Sequence, residues 1–235
     1  MAVLYSDQMT GVKRSYRSPR REAQARHTRE RVVDAARRLW VERGFAATTI
    51  DAIASEAGVA IQTVYGAFGS KGGILTALLG RLEAEAGGET LMRDLAAART
   101  ARQQLAQVAA FNRRLFEAGA DIIAIALGST AVDADVAAWA AEGDRRRRAG
   151  QAHIVGGWHA AGALRPGIGP AEARDVLYAM TSPELYLLLV RTVGWRPGRY
   201  ERWLDRTLST LLLGGPGTTA SGTSGFGTGG RDRTS

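Results

Sequence analysis

Between residues 26 and 213 the apolar positions recur at intervals of three and four, with almost no alternation of period two, so the body of the chain is expected to be all-α. The first stripe, Val32, Val33, Ala36, Leu39 and Trp40, predicts a helix over Arg26–Arg43 with Gly44 just past its end. A short helix is expected after Thr48-Thr49, and another near Ile61–Phe68. Ser70 opens a longer helix with Ile74, Leu75, Leu78, Leu79 and Leu82 on its apolar side, closing near Gly87-Gly88. Thr100–Glu117, Asp121–Leu127, Asp135–Ala161, Pro170–Val193 and Pro197–Leu213 read as helices in turn. Pro170 and Pro197 suit helix starts, where a missing N–H costs nothing. Ser182-Pro183 predicts a kink or restart.

The two ends read differently. Residues 1–25 carry the run Lys13-Arg14-Ser15-Tyr16-Arg17-Ser18-Pro19-Arg20-Arg21 without apolar periodicity, the pattern of a basic disordered arm. From Gly214 to Ser235 there are eight glycines among Ser, Thr and Pro, which reads as a flexible tail. Charge sharpens this picture. The formal net charge is +8, and residues 1–48 hold eleven basic against five acidic side chains, so most of the excess precedes residue 49. That asymmetry points to a polyanionic partner. Arginine abundance alone carries no weight, because a high-GC codon bias produces it too.

Several classes fall away. The chain has no cysteine, which excludes disulfide frameworks, thiolate zinc sites, iron–sulfur clusters and a cysteine nucleophile. The longest apolar runs, Ile122–Leu127 and Leu185–Val190, are six residues each, far short of the ~18–20 a membrane span needs. No apolar segment precedes a cleavage site near Met1, so a cytoplasmic protein with no membrane partner is expected.

The chemistry-bearing stretch is Ile50–Tyr65. Two short helices crossing steeply need a small residue at their close approach, here Ala54, and a residue tolerant of positive φ in the turn, here Gly58. Ile53, Ala57, Val59 and Val64 supply apolar anchors, and Thr48 or Thr49 can cap the first helix. The Ala-x3-Gly-x5-Val spacing is that of a helix-turn-helix.

With its surroundings, segment 26–79 resembles the N-terminal domain of the TetR family of transcriptional regulators. The resemblance rests on Ala35-Ala36, Trp40, Gly44-Phe45, Thr48-Thr49, Ile53-Ala54, Ala57-Gly58-Val59, Thr63-Val64-Tyr65, Phe68 and Ser70-Lys71-Gly72, in order and without gaps. Residues 181–204 also look like the end of some members. Two places depart from the pattern. Gly66 and Ala67 stand where members often have an aromatic or basic residue followed by His or Tyr, and Ala60 replaces a polar residue at the recognition-helix start.

The resemblance implies an all-α protein with an N-terminal three-helix DNA-binding domain over 26–72 and a C-terminal helical ligand-binding and dimerisation domain over 73–213. The expected DNA contacts are Thr48, Thr49, Ala60, Ile61, Gln62, Thr63, Tyr65 and Lys71. Gln62 can pair bidentately with adenine, and Ala60 or Ile61 can touch a thymine methyl. Thr63 suits a base or phosphate, and Tyr65 and Lys71 suit phosphate, as Thr48 and Thr49 do at the second helix's N-terminus. Phe68 reads as core. The Arg-rich arm is placed to follow the minor groove. Pairing of the segments Pro170–Val193 and Pro197–Leu213 across a two-fold axis would give a homodimer on a palindromic operator. Phe111, Asn112, Phe116, Trp139, Trp158 and Tyr178 are the candidates to line a cavity for a hydrophobic or aromatic small-molecule effector whose binding releases DNA.

No catalytic constellation, cofactor motif or metal site accompanies these features. His153 and His159 are not on one helical face, and Arg145–Arg148 point around most of a helix, as solvated residues do. The expected function is a TetR-type regulator, a repressor rather than an enzyme. An architectural DNA-binding protein without an effector is the alternative from another class, and a helical-bundle enzyme with an incidental helix-turn-helix is a third.

Overall fold

A computed structural model describes residues 19–131 and 133–214. Among them the secondary structure is helical, with one isolated antiparallel bridge between Leu164 and Leu213. The helices are α1 (Pro19–Arg43), α2 (Ile50–Ala57), α3 (Ile61–Phe68), α4 (Lys71–Glu85), α5 (Gly88–Ala97), α6 (Ala101–Ser129), α7 (Ala134–Ala160), α8 (Pro170–Met180), α9 (Pro183–Tyr186) and α10 (Pro197–Leu212). A π-helical stretch, Leu187–Thr192, continues α9. The chain divides into two compact units after Leu78, within α4, six residues beyond the boundary expected from sequence.

The first unit is built on α1. Val32, Val33, Ala35, Ala36, Leu39 and Trp40 are its buried stripe, closed by Phe45, Ile53, Ala54, Ala57, Val64, Ile74, Leu75 and Leu78. The Trp40 and Phe45 rings lie 5.1 Å apart. α1 begins at Pro19, seven residues before the expected Arg26, so residues 19–25 are helical rather than part of a disordered arm. Ala23, Gln24, Ala25 and the arginines are good helix formers, and propensity needs no apolar stripe. The remainder of the expected arm, residues 1–18, and residues 215–235 of the expected tail lie outside the described residues.

In the second unit α6 packs against α10 and α7 against α8. Leu105, Ala109 and Phe116 of α6 share a core with Tyr200, Leu204, Leu208 and Leu212 of α10, and with Val155, Trp158, Ala173 and Leu177. Each buried leucine there stabilises the unit by roughly 1.5–3 kcal/mol. Two expectations are corrected. Thr100–Glu117 and Asp121–Leu127 form one helix, because Gly119 lies inside it at a close approach: a Cβ there would stand 2.9 Å from Leu82 Cδ1. α5 begins within Gly87-Gly88, where the sequence pattern suggests only a stop: Gly87 takes φ 89° and α5 starts at Gly88. The expected interruption of Pro170–Val193 is present, between Met180 and Pro183. The helix restarts at Pro183 as the Ser-Pro pair predicts, with Ser182 Oγ accepting from Leu185 N at 3.2 Å.

Candidate nucleic-acid interface

α2 is held at both ends. Thr49 Oγ1 accepts the Ala52 N–H at 3.1 Å, satisfying one of the backbone donors a helix start leaves orphaned. At the other end Gly58 takes φ 62°, and Val59 N donates back to Ala54 O at 3.0 Å, a left-handed stop that glycine adopts without strain. Arg31 of α1 completes this end, its guanidinium donating to the Ala57 carbonyl and, at 3.3 Å, to Gly58 O. The chain then re-enters helix at Ile61. Ala60 offers no side-chain cap to α3, as alanine cannot.

α3 buries one anchor, Val64, and presents the opposite side. Ala60, Ile61, Gln62, Thr63 and Tyr65 are exposed, with Ile61 at 39% and Tyr65 at 49% exposure. With the amide of Gln62 and the hydroxyls of Thr63 and Tyr65, these residues form a surface suited to base edges and phosphates. At its far end α3 is fixed to α1: Arg29 donates to Ala67 O at 2.5 Å and lies 4.5 Å from the Phe68 ring centroid. Arg38 reaches Glu56 of α2 at 2.9 Å.

Two residues expected to meet DNA face inward. Thr48 is 2% exposed and its hydroxyl donates to Gly44 O at 2.8 Å, so its side chain closes the loop before α2 instead of meeting solvent. Lys71 donates to Phe45 O at 2.9 Å and Thr48 O at 3.2 Å, with its ammonium 4.4 Å from the Phe45 ring centroid. Two of its three donors are thereby committed to that same loop. Both residues position Thr49 and the start of α2. Residue type and spacing do not distinguish this role from a phosphate contact, because the acceptors are backbone carbonyls that the sequence pattern does not display.

The six candidate effector residues lie on α6, α7 and α8. Asn112 is buried, donating to Thr181 O at 3.0 Å and accepting from Tyr200 Oη at 2.7 Å. The Phe116 ring lies 5.4 Å from that of Tyr186, tilted by 52°. Trp158 is buried and donates to Gln104 Oε1 at 2.6 Å. Tyr178 donates to Asp144 between the guanidinium groups of Arg147 and Arg148, each 3.9 Å from its ring centroid. Phe111 and Trp139 are half-buried on α6 and α7. Open grooves occur in the second unit. One is lined by Asp94, Arg99, Gln103 and Gln107, another by Ala120, Ala124, Leu187 and Arg191, and neither includes any of the six. Sequence reasoning missed Thr181, Gln151 and Tyr200, which share the Asn112 network: Gln151 Nε2 donates to Thr181 Oγ1 at 2.8 Å.

Among the described residues no group of three or more His, Asp or Glu side chains could hold a metal ion, and no single helix is long and apolar enough to cross a membrane.

Residues 32–78 match the model of a family described as bacterial regulatory proteins, tetR family. Comparison with curated proteins gives no match. Solved structures share the fold. NalD, the secondary repressor of the MexAB-OprM multidrug efflux pump in Pseudomonas aeruginosa, is 19% identical with a TM-score of 0.68, covering 81% of this chain and 98% of its own. SmeT, solved in complex with triclosan, is 22% identical with a TM-score of 0.64, over 80% of this chain and 92% of its own. A protein from Saccharomonospora viridis described as a transcriptional regulator, in complex with choline, is 19% identical with a TM-score of 0.63, over 80% and 98%.

Proposed function

We propose, from the match of residues 32–78 to the tetR-family model, that this chain is a TetR-type transcriptional regulator, a repressor acting in the cytoplasm as a homodimer on a palindromic operator. The observation that carries this reading is the exposed face of α3 within the family-matched segment. Gln62 reads a base pair there, and Thr49, Thr63 and Tyr65 hold the backbone; Ala60 and Ile61 meet thymine methyls. Lys71 contributes its remaining donor to phosphate, and Thr48 acts through the loop it closes. The segments Pro170–Val193 and Pro197–Leu213 pair with their copies across the two-fold axis. Two α3 helices then stand about 34–36 Å apart, one turn of duplex.

Release is by a small hydrophobic or aromatic molecule bound in the second unit, a reading supported by the complex of SmeT with the aromatic molecule triclosan. Phe111, Asn112, Phe116, Trp139, Trp158 and Tyr178 remain its candidate contacts. A ligand that bonds Asn112 would use its second amide N–H or the second lone pair of its carbonyl, beside Thr181 and Tyr200.

Selection of random duplexes by the full-length protein tests the proposal. A palindromic motif is expected, with a preference of about 10³-fold or more over random sequence at fixed salt. Gln62→Ala should relax the preference at one or two base pairs, at a cost of about 1–3 kcal/mol. Salt-sensitive binding with no enriched motif would replace the repressor with an architectural DNA-binding protein.

A further inference from the structure

Polar atoms buried in a folded core nearly always have partners, so one without a partner calls for an explanation. Gln151 holds such an atom. It stands on the inward face of α7 with Val155 and Trp158, about one and two turns further on, and is only 7% exposed. Its Nε2 donates to Thr181 Oγ1 at 2.8 Å, while its Oε1 is enclosed with no protein donor in reach among the described residues. Thr181 fixes which end of the amide is which. Its hydroxyl has one hydrogen and spends it on Leu177 O at 2.7 Å, so toward Gln151 it can only accept. Nε2 therefore faces Thr181, and the carbonyl end of Gln151 is the one left over.

Thr181 is the residue on which α6 and α7 both converge. It ends α8, and its carbonyl takes Asn112 Nδ2 of α6 at 3.0 Å and Arg147 Nη1 of α7 at 3.3 Å. Asn112 and Gln151 thus bond one residue, the first at its carbonyl and the second at its hydroxyl. The surroundings are apolar: Val155, Trp158 and Leu177 belong to the same core, with Met180 half-buried against it. An unbranched thioether side chain repacks readily around an incoming ring. The charge nearest Thr181 is the Arg147 guanidinium. Its acidic neighbour Asp144 is already engaged by the Tyr178 hydroxyl and by Arg148. The site therefore offers an acceptor to a neutral donor and sets a positive charge against a cationic one.

We propose that Gln151 selects the small molecule of the second unit, its Oε1 accepting a hydrogen bond from a neutral hydroxyl or N–H group carried on an apolar ring. The inference rests on the reading of the second unit as effector-binding. It adds the polar chemistry of the ligand, one uncharged donor, and a residue outside the six that sequence suggests.

The test uses the full-length protein, labelled with nitrogen-15, and two uncharged probes with the same ring system, indole and 1-methylindole, of which only the first carries an N–H. Wild type should bind indole about fivefold more tightly, the value of one net hydrogen bond. Indole should also move the side-chain NH2 signals that are missing from the spectrum of Gln151→Met. That variant has a side chain of similar length without an acceptor and should bind both probes equally. The wild-type comparison needs no variant: equal affinity for the two probes, or binding of neither, overturns the proposal and leaves Oε1 to solvent. A preference for indole that survives in Gln151→Met overturns the role of Gln151. Titrating the selected duplex with indole present separates this site from the effector reading. Indole held through Gln151 with duplex affinity unchanged keeps the site and overturns release as its consequence.

Discussion

In the first unit the groups that set the helix-turn-helix geometry are close along the chain, whereas in the second the groups that hold the helices are far apart. Thr49 caps Ala52, Arg31 reaches Gly58 across 27 residues, and Lys71 reaches Phe45 across 26. In the second unit Asn112 bonds Thr181 across 69 residues and Tyr200 across 88. A local device leaves a spacing in the sequence. A distant one leaves single polar residues whose partners cannot be read from the pattern. The first unit is therefore sensitive at a few turn and cap positions, and the second at buried polar atoms that must all be satisfied together.

Asn112→Leu breaks the second unit most. It replaces a buried amide, leaving the Tyr200 hydroxyl without its acceptor and the Thr181 carbonyl with only Arg147 Nη1 at 3.3 Å. Stranding buried polar groups costs about 1–3 kcal/mol each, so a loss of about 3 kcal/mol in urea unfolding is expected. Tyr200→Phe, which strands only Asn112 Oδ1, should cost less. A loss under about 1 kcal/mol for Asn112→Leu would show that the network does not hold α6 to α10.

Gly58→Ala tests the local side. At φ 62° an added Cβ costs about 1–2 kcal/mol, and it would stand 2.7 Å from Arg31 Nη2, so Arg31 must also withdraw from the carbonyls it caps. The double variant Gly58→Ala, Arg31→Ala should lose less than the sum of the two single variants, because both single variants disturb the same guanidinium–carbonyl bonds. Strict additivity in thermal unfolding would separate the turn from the α1 cap and weaken the account of how α3 is aimed.

The same distinction explains what is legible in the sequence. The order Thr49, Ala54, Gly58, Val64 announces the helix-turn-helix because each residue answers a constraint within a few positions of itself. The restart at Pro183 is legible for the same reason: proline lacks the N–H that an uninterrupted helix requires. The extension of α1 from Pro19 is not, since an exposed helix has propensity without apolar periodicity. Nor is the continuity of α6, where Gly119 resembles a break until Leu82 is found against it. At the interface, residue type and spacing pick out the exposed residues of α3, but they also point Thr48 and Lys71 at DNA, whereas the groups of both bond backbone carbonyls. The effector candidates are aromatic and amide residues on apolar stripes, a criterion that a satisfied core network meets equally well.

The arginine run 145–148 gives the smallest expected effect and the sharpest pH signature. Four consecutive residues point around most of a helix, and Arg145 and Arg146 do behave as exposed residues pairing with Glu142 and Glu83. Arg147 and Arg148 instead frame the Tyr178 ring, and Asp144 receives the Tyr178 hydroxyl and, at 2.8 Å, Arg148 Nε. The Tyr178 hydrogen bond, followed by the Arg148 bond, pulls the Asp144 carboxyl down to about 2, below the ~3.9 of an unfolded aspartate. A carboxylate depressed on folding stabilises the folded state above its unfolded pKa, and that contribution fades as pH falls through the folded one. Asp144→Asn should therefore be less stable than wild type at neutral pH, with a gap smaller than that of either earlier variant because the Asp144 side chain is 36% exposed and screened by water. Urea unfolding at a series of pH values should find the gap full above about pH 4 and closing toward pH 2. A gap that stays constant across that window would mean that Asp144 acts only as a neutral acceptor for Tyr178, and that the charge of the arginine run contributes nothing to the joint between α7 and α8.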